Sequence, residues 1–464
     1  LPTKHEDGHG GHDGGATAVL TTGEPVMDLE GLEVHYSLSS GLLGRLLGLG
    51  TSTVRAVDGV DLTLRRGEVL GVVGESGSGK TTLGRALLGL APTTGGRITY
   101  HDPDRGPRRV SSMRGAELRH LRTDVQMVFQ DPHAALNPTM TIETAVGHPL
   151  KIHGIATGEE LRRRVAAALE RVGLAPAEQF MAKYPADLSG GQKQRAVIAR
   201  AIILDPKVLV ADEPVSMLDM SVRAKILQLM LDLKRDLDLT YVYITHDLAT
   251  AKFFCDRVAI MYLGRVVEIG PTAEIFADPK HPYTKALLHA IPEPDPERSV
   301  PRNLPRGEIP DAARPPLGCS FHPRCPEAVD NCGWESRDLR VLLEQHWTRV
   351  DAETYEDEKA VIGDLDPLDE PALDARLGQG GNAGRVRGIL DRIREENPQE
   401  PMWRGVASLD EEGDGLHVRF KPGEDPPLRP AGGVQVACVL YPGDEPSPAA
   451  ASGSGGTVPP NSGQ

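Results

Sequence analysis

One stretch restricts the fold more than any other: Gly74-Glu75-Ser76-Gly77-Ser78-Gly79-Lys80-Thr81, followed by Thr82. It fits the pattern G-x-x-x-x-G-K-[ST]. The apolar run Val69–Val73 stands before it. Leu83, Ala86, Leu87 and Leu90 recur after it at i, i+3, i+4 and i+7, with Pro92 beyond. Buried strand, glycine loop and helix in that order turn backbone N–H groups inward around phosphate oxygens, at the positive end of a helix dipole. Lys80 is then the cation for the β- and γ-phosphates, and the Thr81 hydroxyl a Mg²⁺ ligand. A strand feeding a helix through such a loop implies an α/β fold with a mainly parallel sheet.

The surrounding chain supports that class. Between residues 26 and 290, short runs rich in Val and Ile alternate with helical periodicities. Val125–Phe129, Val208–Ala211 and Tyr241–Ile244 read as further strands. A helix is expected from Thr157, with Glu160 as its capping-box partner and Leu161, Val165, Ala168, Leu169 and Val172 on one face before Gly173. Another is expected over Val222–Leu237, with Ile226, Leu229, Met230 and Leu233 inward. Residues 1–25 read as a disordered tail whose His5, His9 and His12 are solvated rather than metal-bound. Residues 291–350 form a small extension that opens with the Pro-rich connector Pro292–Pro316. Residues 351–430 are an acidic insertion. Asp351–Arg429 holds 20 Asp/Glu against 10 Lys/Arg, most of the chain's net charge of −15. One short helix, Val386–Glu396, is expected there, the rest being either disordered or a small module. Residues 431–441 return to the extension, and 442–464 read as a loose tail.

Composition excludes several functions. A net charge of −15 argues against non-specific nucleic-acid binding, so no nucleic-acid partner is expected. No run of 18 or more apolar residues exists, so no transmembrane helix is expected, and residues 1–23 lack the apolar core of a secretory signal. Five cysteines in 464 residues do not make a disulfide scaffold.

Two more constellations carry chemistry. Asp212-Glu213 ends the Val208–Ala211 strand, where an acid stands beside the phosphate loop in this architecture. Asp212 suits Mg²⁺, and Glu213 suits the base that orients an attacking water. Ser189-Gly190-Gly191-Gln192 lies further on, Ser189 coming 109 positions after Lys80. A capping serine and two glycines at a helix start make a second anion site. The chain already has one, so this one is expected to complete the nucleotide of another subunit.

With these motifs together, the chain resembles an ATP-binding-cassette (ABC) ATPase over residues 26–290. The resemblance implies a RecA-like α/β core with an antiparallel β subdomain and a helical subdomain. It implies that Gln130 touches Mg²⁺ and senses a membrane partner, that Ser216-Met217-Leu218-Asp219 crosses a dimer seam through Asp219, and that His246 contacts the γ-phosphate. Tyr36 is the candidate aromatic for stacking on adenine, a core aromatic being the alternative. The catalytic set is Lys80, Glu213 and His246. Phe129-Gln130-Asp131-Pro132-His133-Ala134-Ala135-Leu136-Asn137-Pro138 and Asp278-Pro279-Lys280-His281-Pro282-Tyr283-Thr284 resemble the oligopeptide/dipeptide importers, and Gly41–Gly44 with Ala56–Val60 their F-type ATPase subunit.

That resemblance implies an ATPase on the cytoplasmic face of the plasma membrane, peripheral to two transmembrane permease subunits. It would be paired with a second, related ATPase and served by an external peptide-binding protein. Nickel import, oligosaccharide import and a non-transport ABC role are the alternatives.

Cys319, Cys325 and Cys332 are separated by five and six residues, and Val436-Ala437-Cys438 follows 106 positions after Cys332. They resemble the Cys-containing extension of these importers, which implies a [4Fe–4S] cluster on Cys319, Cys325, Cys332 and Cys438. Zinc or unmetallated thiols are the other readings. Cys255 reads as a buried apolar residue.

Overall fold

A computed structural model describes residues 23–38, 52–290, 305–378 and 380–442. The expected tails, apart from their inner residues 23–25 and 442, lie outside these residues, as do His5, His9, His12 and Gly41–Gly44. Strands β1 (Pro25–Leu38) and β2 (Ser52–Arg65) pair antiparallel from Pro25↔Arg65 to Leu38↔Ser52. Alternation drives the pairing: Met27, Leu29, Leu62 and Leu64 are buried, while the intervening Thr63 donates from Oγ1 to Asp28 at 2.7 Å. β3 (Val69–Val73) leaves for a second sheet, whereas β4 (Gly95–Asp102) and β5 (Gly106–Arg109) complete the first in the order β2-β1-β4-β5.

The second sheet takes up β6 (Val125–Val128), β7 (Val208–Asp212), β8 (Thr240–Thr245), β9 (Arg257–Tyr262) and β10 (Arg265–Pro271). β6, β7, β8, β3 and β9 run parallel, and β10 returns antiparallel on β9. β3, β7 and β8 are buried at every position, because helices cover both faces. The helices Ile142–Ile152, Gly158–Arg171 and Gly190–Ile202 form a separate layer around Val146, Leu150, Leu161, Val165, Leu169 and Ile198. This is the expected α/β core with an antiparallel β subdomain and a helical subdomain.

Two local expectations are corrected. The helix after the phosphate loop ends at Leu87 because Gly89 turns to φ 62°, so Leu90 is exposed instead of inward. Thr157 does precede a helix, but no side-chain cap forms: Glu160 pairs with Arg163 and Arg164 instead. Leu229 packs against the core half-buried, as expected to face inward, and Leu227 joins the core beside it.

The acidic insertion is folded, so the disordered alternative is overturned. After the extension's helix Ser336–Trp347, the insertion runs through the helix Ala352–Ile362, β11 (Asp374–Leu377), the helix Ala383–Glu396, β12 (Val406–Glu412) and β13 (Gly415–Phe420). The strands pair antiparallel in the order β11-β13-β12. Val386, Ile389, Leu390 and Ile393 share one core with Leu416, Val418 and Phe420. The acidic residues coat a real amphipathic pattern. The chain then returns through β14 (Arg429–Ala431) and β15 (Val434–Val436), and β15 joins β10 with Glu268↔Val436 and Ile269↔Gln435. That pairing brings Cys438 back to the extension.

Candidate nucleotide site and cysteine cluster

The phosphate loop sits between β3 and the helix Lys80–Leu87. Its glycines are forced by close approach: a Cβ on Gly79, at φ 97°, would lie 1.9 Å from the Ala56 carbonyl oxygen, and one on Gly74 would lie 2.1 Å from that of Met261. Gly264, in the β9–β10 turn, donates its N–H to Ser78 O at 3.0 Å and buttresses the loop. Lys80 Nζ donates to Gly74 O at 2.8 Å, Glu75 O at 2.7 Å and Ser78 Oγ at 3.3 Å. Burial lowers the Lys80 pKa, opposed by Glu213, Asp212 and Glu75. Ser76 and Gly77 are exposed, Ser78 is buried, and Thr82 is half-buried on the helix.

Opposite the loop, Thr81 Oγ1 donates to Asp212 Oδ1 at 3.1 Å. Burial raises the Asp212 pKa, against the stabilising Thr81 hydrogen bond. Glu213 follows at φ 46°, an uncommon conformation for a non-glycine residue, with its N–H on Ile244 O at 2.9 Å. Its Oε2 accepts from Gln130 Nε2 at 2.9 Å, and its Oε1 lies 2.9 Å from His246 Nδ1. Gln130, Glu213 and His246 follow the C-terminal ends of the adjacent parallel strands β6, β7 and β8, so the sheet delivers all three to one crevice. Tyr36 is exposed on β1, paired with Val54, two residues before Ala56.

Ser189 and Gln192 form a reciprocal capping box on the helix Gly190–Ile202. Among the described residues no hydrogen bond joins Ser189, Gly190, Gly191 or Gln192 to the phosphate loop. Gly191 has a packing reason as well, since its Cβ would meet Val222 Cγ1 at 2.8 Å. Asp219 is exposed at the start of the helix Met220–Leu237 and makes no side-chain cap. Two further residues reach the loop that sequence reasoning did not assign. Tyr283 Oη accepts the Glu75 N–H at 2.9 Å, and Arg324 Nη1 meets Glu75 Oε2 at 2.8 Å. Tyr283 lies in the Asp278–Thr284 stretch and Arg324 beside Cys325, and neither was expected to touch the nucleotide site.

Cys325, Cys332 and Cys438 are buried and Cys319 partly so; all four are free thiols. Burial pushes Cys319 up to about 12 and Cys438 up to about 11, and raises Cys325 and Cys332. Each sulfur also has a backbone donor favouring the thiolate: Phe321 for Cys319, Glu327 for Cys325, Val329 for Cys332 at 3.3 Å, and Leu440 for Cys438. Among the described residues, the set of ligand atoms gathered within 4.8 Å of one another is Asp102, His120 and Asp124, not the cysteines. There, Lys207 Nζ and Tyr100 Oη already donate to Asp124 Oδ2. Cys255 is buried against Gly71 of β3, as the apolar reading expects.

Residues 57–216 match the family described as ABC transporter, and 267–332 match the oligopeptide/dipeptide transporter C-terminal region. A protein of Brucella ovis named as a peptide import ATP-binding protein is 43% identical over 326 residues, 70% of this chain and 97% of its own. One of Brucella abortus is 47% identical over 63% of this chain and 85% of its own. The oligopeptide transport ATP-binding protein OppF of Salmonella typhimurium is 43% identical over 68% of this chain and 92% of its own. No helix among the described residues is long and apolar enough to cross a membrane.

Proposed function

This chain belongs to the ABC transporter family, in its branch of peptide import ATP-binding proteins, and from that membership we infer that it is the ATP-hydrolysing subunit of a membrane importer of short peptides. The observation that carries the reading is Glu213 held between Gln130 and His246 at 2.9 Å each, beside Asp212 and the phosphate loop. The backbone N–H groups of Gly74–Thr81 receive the phosphates, and Lys80 exchanges loop carbonyls for phosphate oxygens. Thr81, Asp212 and Gln130 are the residues that would hold Mg²⁺. A hydroxyl 3.1 Å from a buried carboxylate suits that cation. Held by these residues, such an ion would supply positive charge against the β- and γ-phosphates. Glu213, oriented from both sides, aligns one water and takes its proton, while His246 contacts the γ-phosphate. Tyr36 stacks on adenine.

Ser189, Gly190, Gly191, Gln192 and Asp219 belong, on this proposal, to the nucleotide bound by a second cassette. Two cassettes close face to face, water is excluded, and the higher affinity of ATP for the closed pair drives the motion. The assembly we propose is this chain, a second related ATPase and two transmembrane permease subunits, at the cytoplasmic face of the plasma membrane, with an external binding protein delivering peptide. The test is uptake of a labelled peptide into vesicles bearing that assembly. ATP-dependent uptake lost with Glu213→Gln is expected. Uptake of nickel or an oligosaccharide, with none of peptide, would overturn the cargo.

We further propose that Cys319, Cys325, Cys332 and Cys438 hold a [4Fe–4S] cluster. A backbone N–H faces each sulfur and would support a thiolate, against the burial that raises all four pKa values. A single zinc ion with sulfurs at about 2.3 Å draws them closer together than these residues stand. The group would supply a covalent staple between the extension and the returning strand. Chain purified without air should absorb in the visible blue and lose that band with Cys325→Ser. A colourless chain carrying one zinc would refute it.

A further inference from the structure

The phosphate loop is gripped from outside the cassette core. Glu75, its second residue, is tied at both ends. Its N–H donates to Tyr283 Oη at 2.9 Å, and its carboxylate meets Arg324 through Nη1 at 2.8 Å and Nη2 at 3.3 Å. Tyr283 opens the helix Pro282–His289, and Arg324 lies in the short turn His322–Arg324 immediately before Cys325. Arg324 is only 9% exposed. Its guanidinium carbon stands 5.8 Å from the ring centres of both Tyr262 and Phe321. Those rings touch each other at 5.3 Å, and Tyr283 packs on them at 4.7 Å and 5.2 Å. The arginine is therefore held by an aromatic bed and pointed at one carboxylate, with a fork that matches it. Burial alone would lower its pKa, but the Glu75 and Tyr262 hydrogen bonds more than offset this and hold it above the usual value.

Glu75 stands in the turn whose N–H groups must receive a triphosphate. A bare carboxylate there repels the incoming anion. A carboxylate paired with a buried guanidinium does not, and its backbone is anchored too. We propose that Arg324 is a positioning residue of the nucleotide site: its two-pronged pair with Glu75, together with Tyr283, sets the entry turn of the phosphate loop and removes a negative charge from beside the bound phosphates. The cysteine-bearing segment is on this view a working part of the ATP site. This rests on the ATPase reading above.

The test is a charge cycle on the full chain, reading the dissociation constant for a fluorescent ATP analogue. Arg324→Gln should weaken binding about tenfold, and adding Glu75→Gln to that chain should recover it to within about twofold. A merely structural lesion would not be repaired by removing a second charge. An unchanged constant in Arg324→Gln, or no recovery in the double variant, overturns the proposal. If Arg324→Gln does not fold, Arg324→Lys carries the test, since it keeps the charge and loses the fork. About threefold weaker binding is then expected, and wild-type binding overturns the proposal. Absence of nucleotide binding by the unsubstituted chain would instead strike the ATPase reading.

Discussion

At the scale of single residues, the site depends on side chains that the backbone aims under constraint. Glu213 adopts φ 46°, a conformation costing on the order of 1–3 kcal/mol for a side-chain-bearing residue. What it obtains is a carboxylate with one oxygen on Gln130 and the other on His246. Glu213→Gln should leave the ATP dissociation constant within about twofold and lower turnover about 10²–10⁴-fold, as loss of a general base does. Single-turnover hydrolysis at the wild-type rate would remove Glu213 from the mechanism. Gly79 is legible in the sequence as a motif glycine. Its reason, the Ala56 carbonyl 1.9 Å from any Cβ, comes from a strand that the motif does not mention. Gly79→Ala should therefore abolish nucleotide binding and lower Tm, both readable on the purified chain.

At the scale of elements, similar signals had different outcomes. Ser189 with Gln192, and Thr157 with Glu160, are the same capping pattern. Only the first forms, because Arg163 and Arg164 stand three and four residues after Glu160 and the carboxylate turns to them. The His281–Thr284 stretch, a family resemblance in the sequence, starts a helix: His281 Nδ1 accepts from Tyr283 N–H at 3.0 Å. Burial, with a smaller push from Lys285, brings the His281 pKa down to about 3 from 6.5. A depressed folded-state value means stability that is fully present above pH 6.5 and lost as pH falls toward 3. The wild-type chain should therefore lose stability in acid faster than His281→Asn, which keeps a capping acceptor without the titration. The difference should approach about 1.4 kcal/mol per pH unit, measured by denaturant melts from pH 7 to 4. Parallel slopes would contradict the assignment.

At the scale of the molecule, the extension, the insertion and the cassette are built into one another. Trp334 is 2% exposed, donates Nε1–H to Val329 O at 2.7 Å, and packs its ring 5.1 Å from His322. A Cβ on Gly405, in the insertion, would lie 2.1 Å from it. Trp334→Ala should cost about 3–5 kcal/mol and lower Tm for the whole extension, and an unchanged melt would mean the insertion stands apart. The acidic run hid this module because charge dominates its composition, while Leu416, Val418 and Phe420 alternate beneath. By itself the sequence determined the phosphate loop, the strands β3, β7 and β8, the acids Asp212 and Glu213 at the end of β7, and the helix capped by Ser189. Each is set by neighbours within a turn or a strand, where backbone geometry and side-chain period decide the outcome. Only the tertiary structure decided that Arg324 meets Glu75, that Leu90 faces out, and that β15 carries Cys438 back to the other thiols. Those outcomes depend on which surfaces pack together across hundreds of residues, and local periodicity carries no register for that.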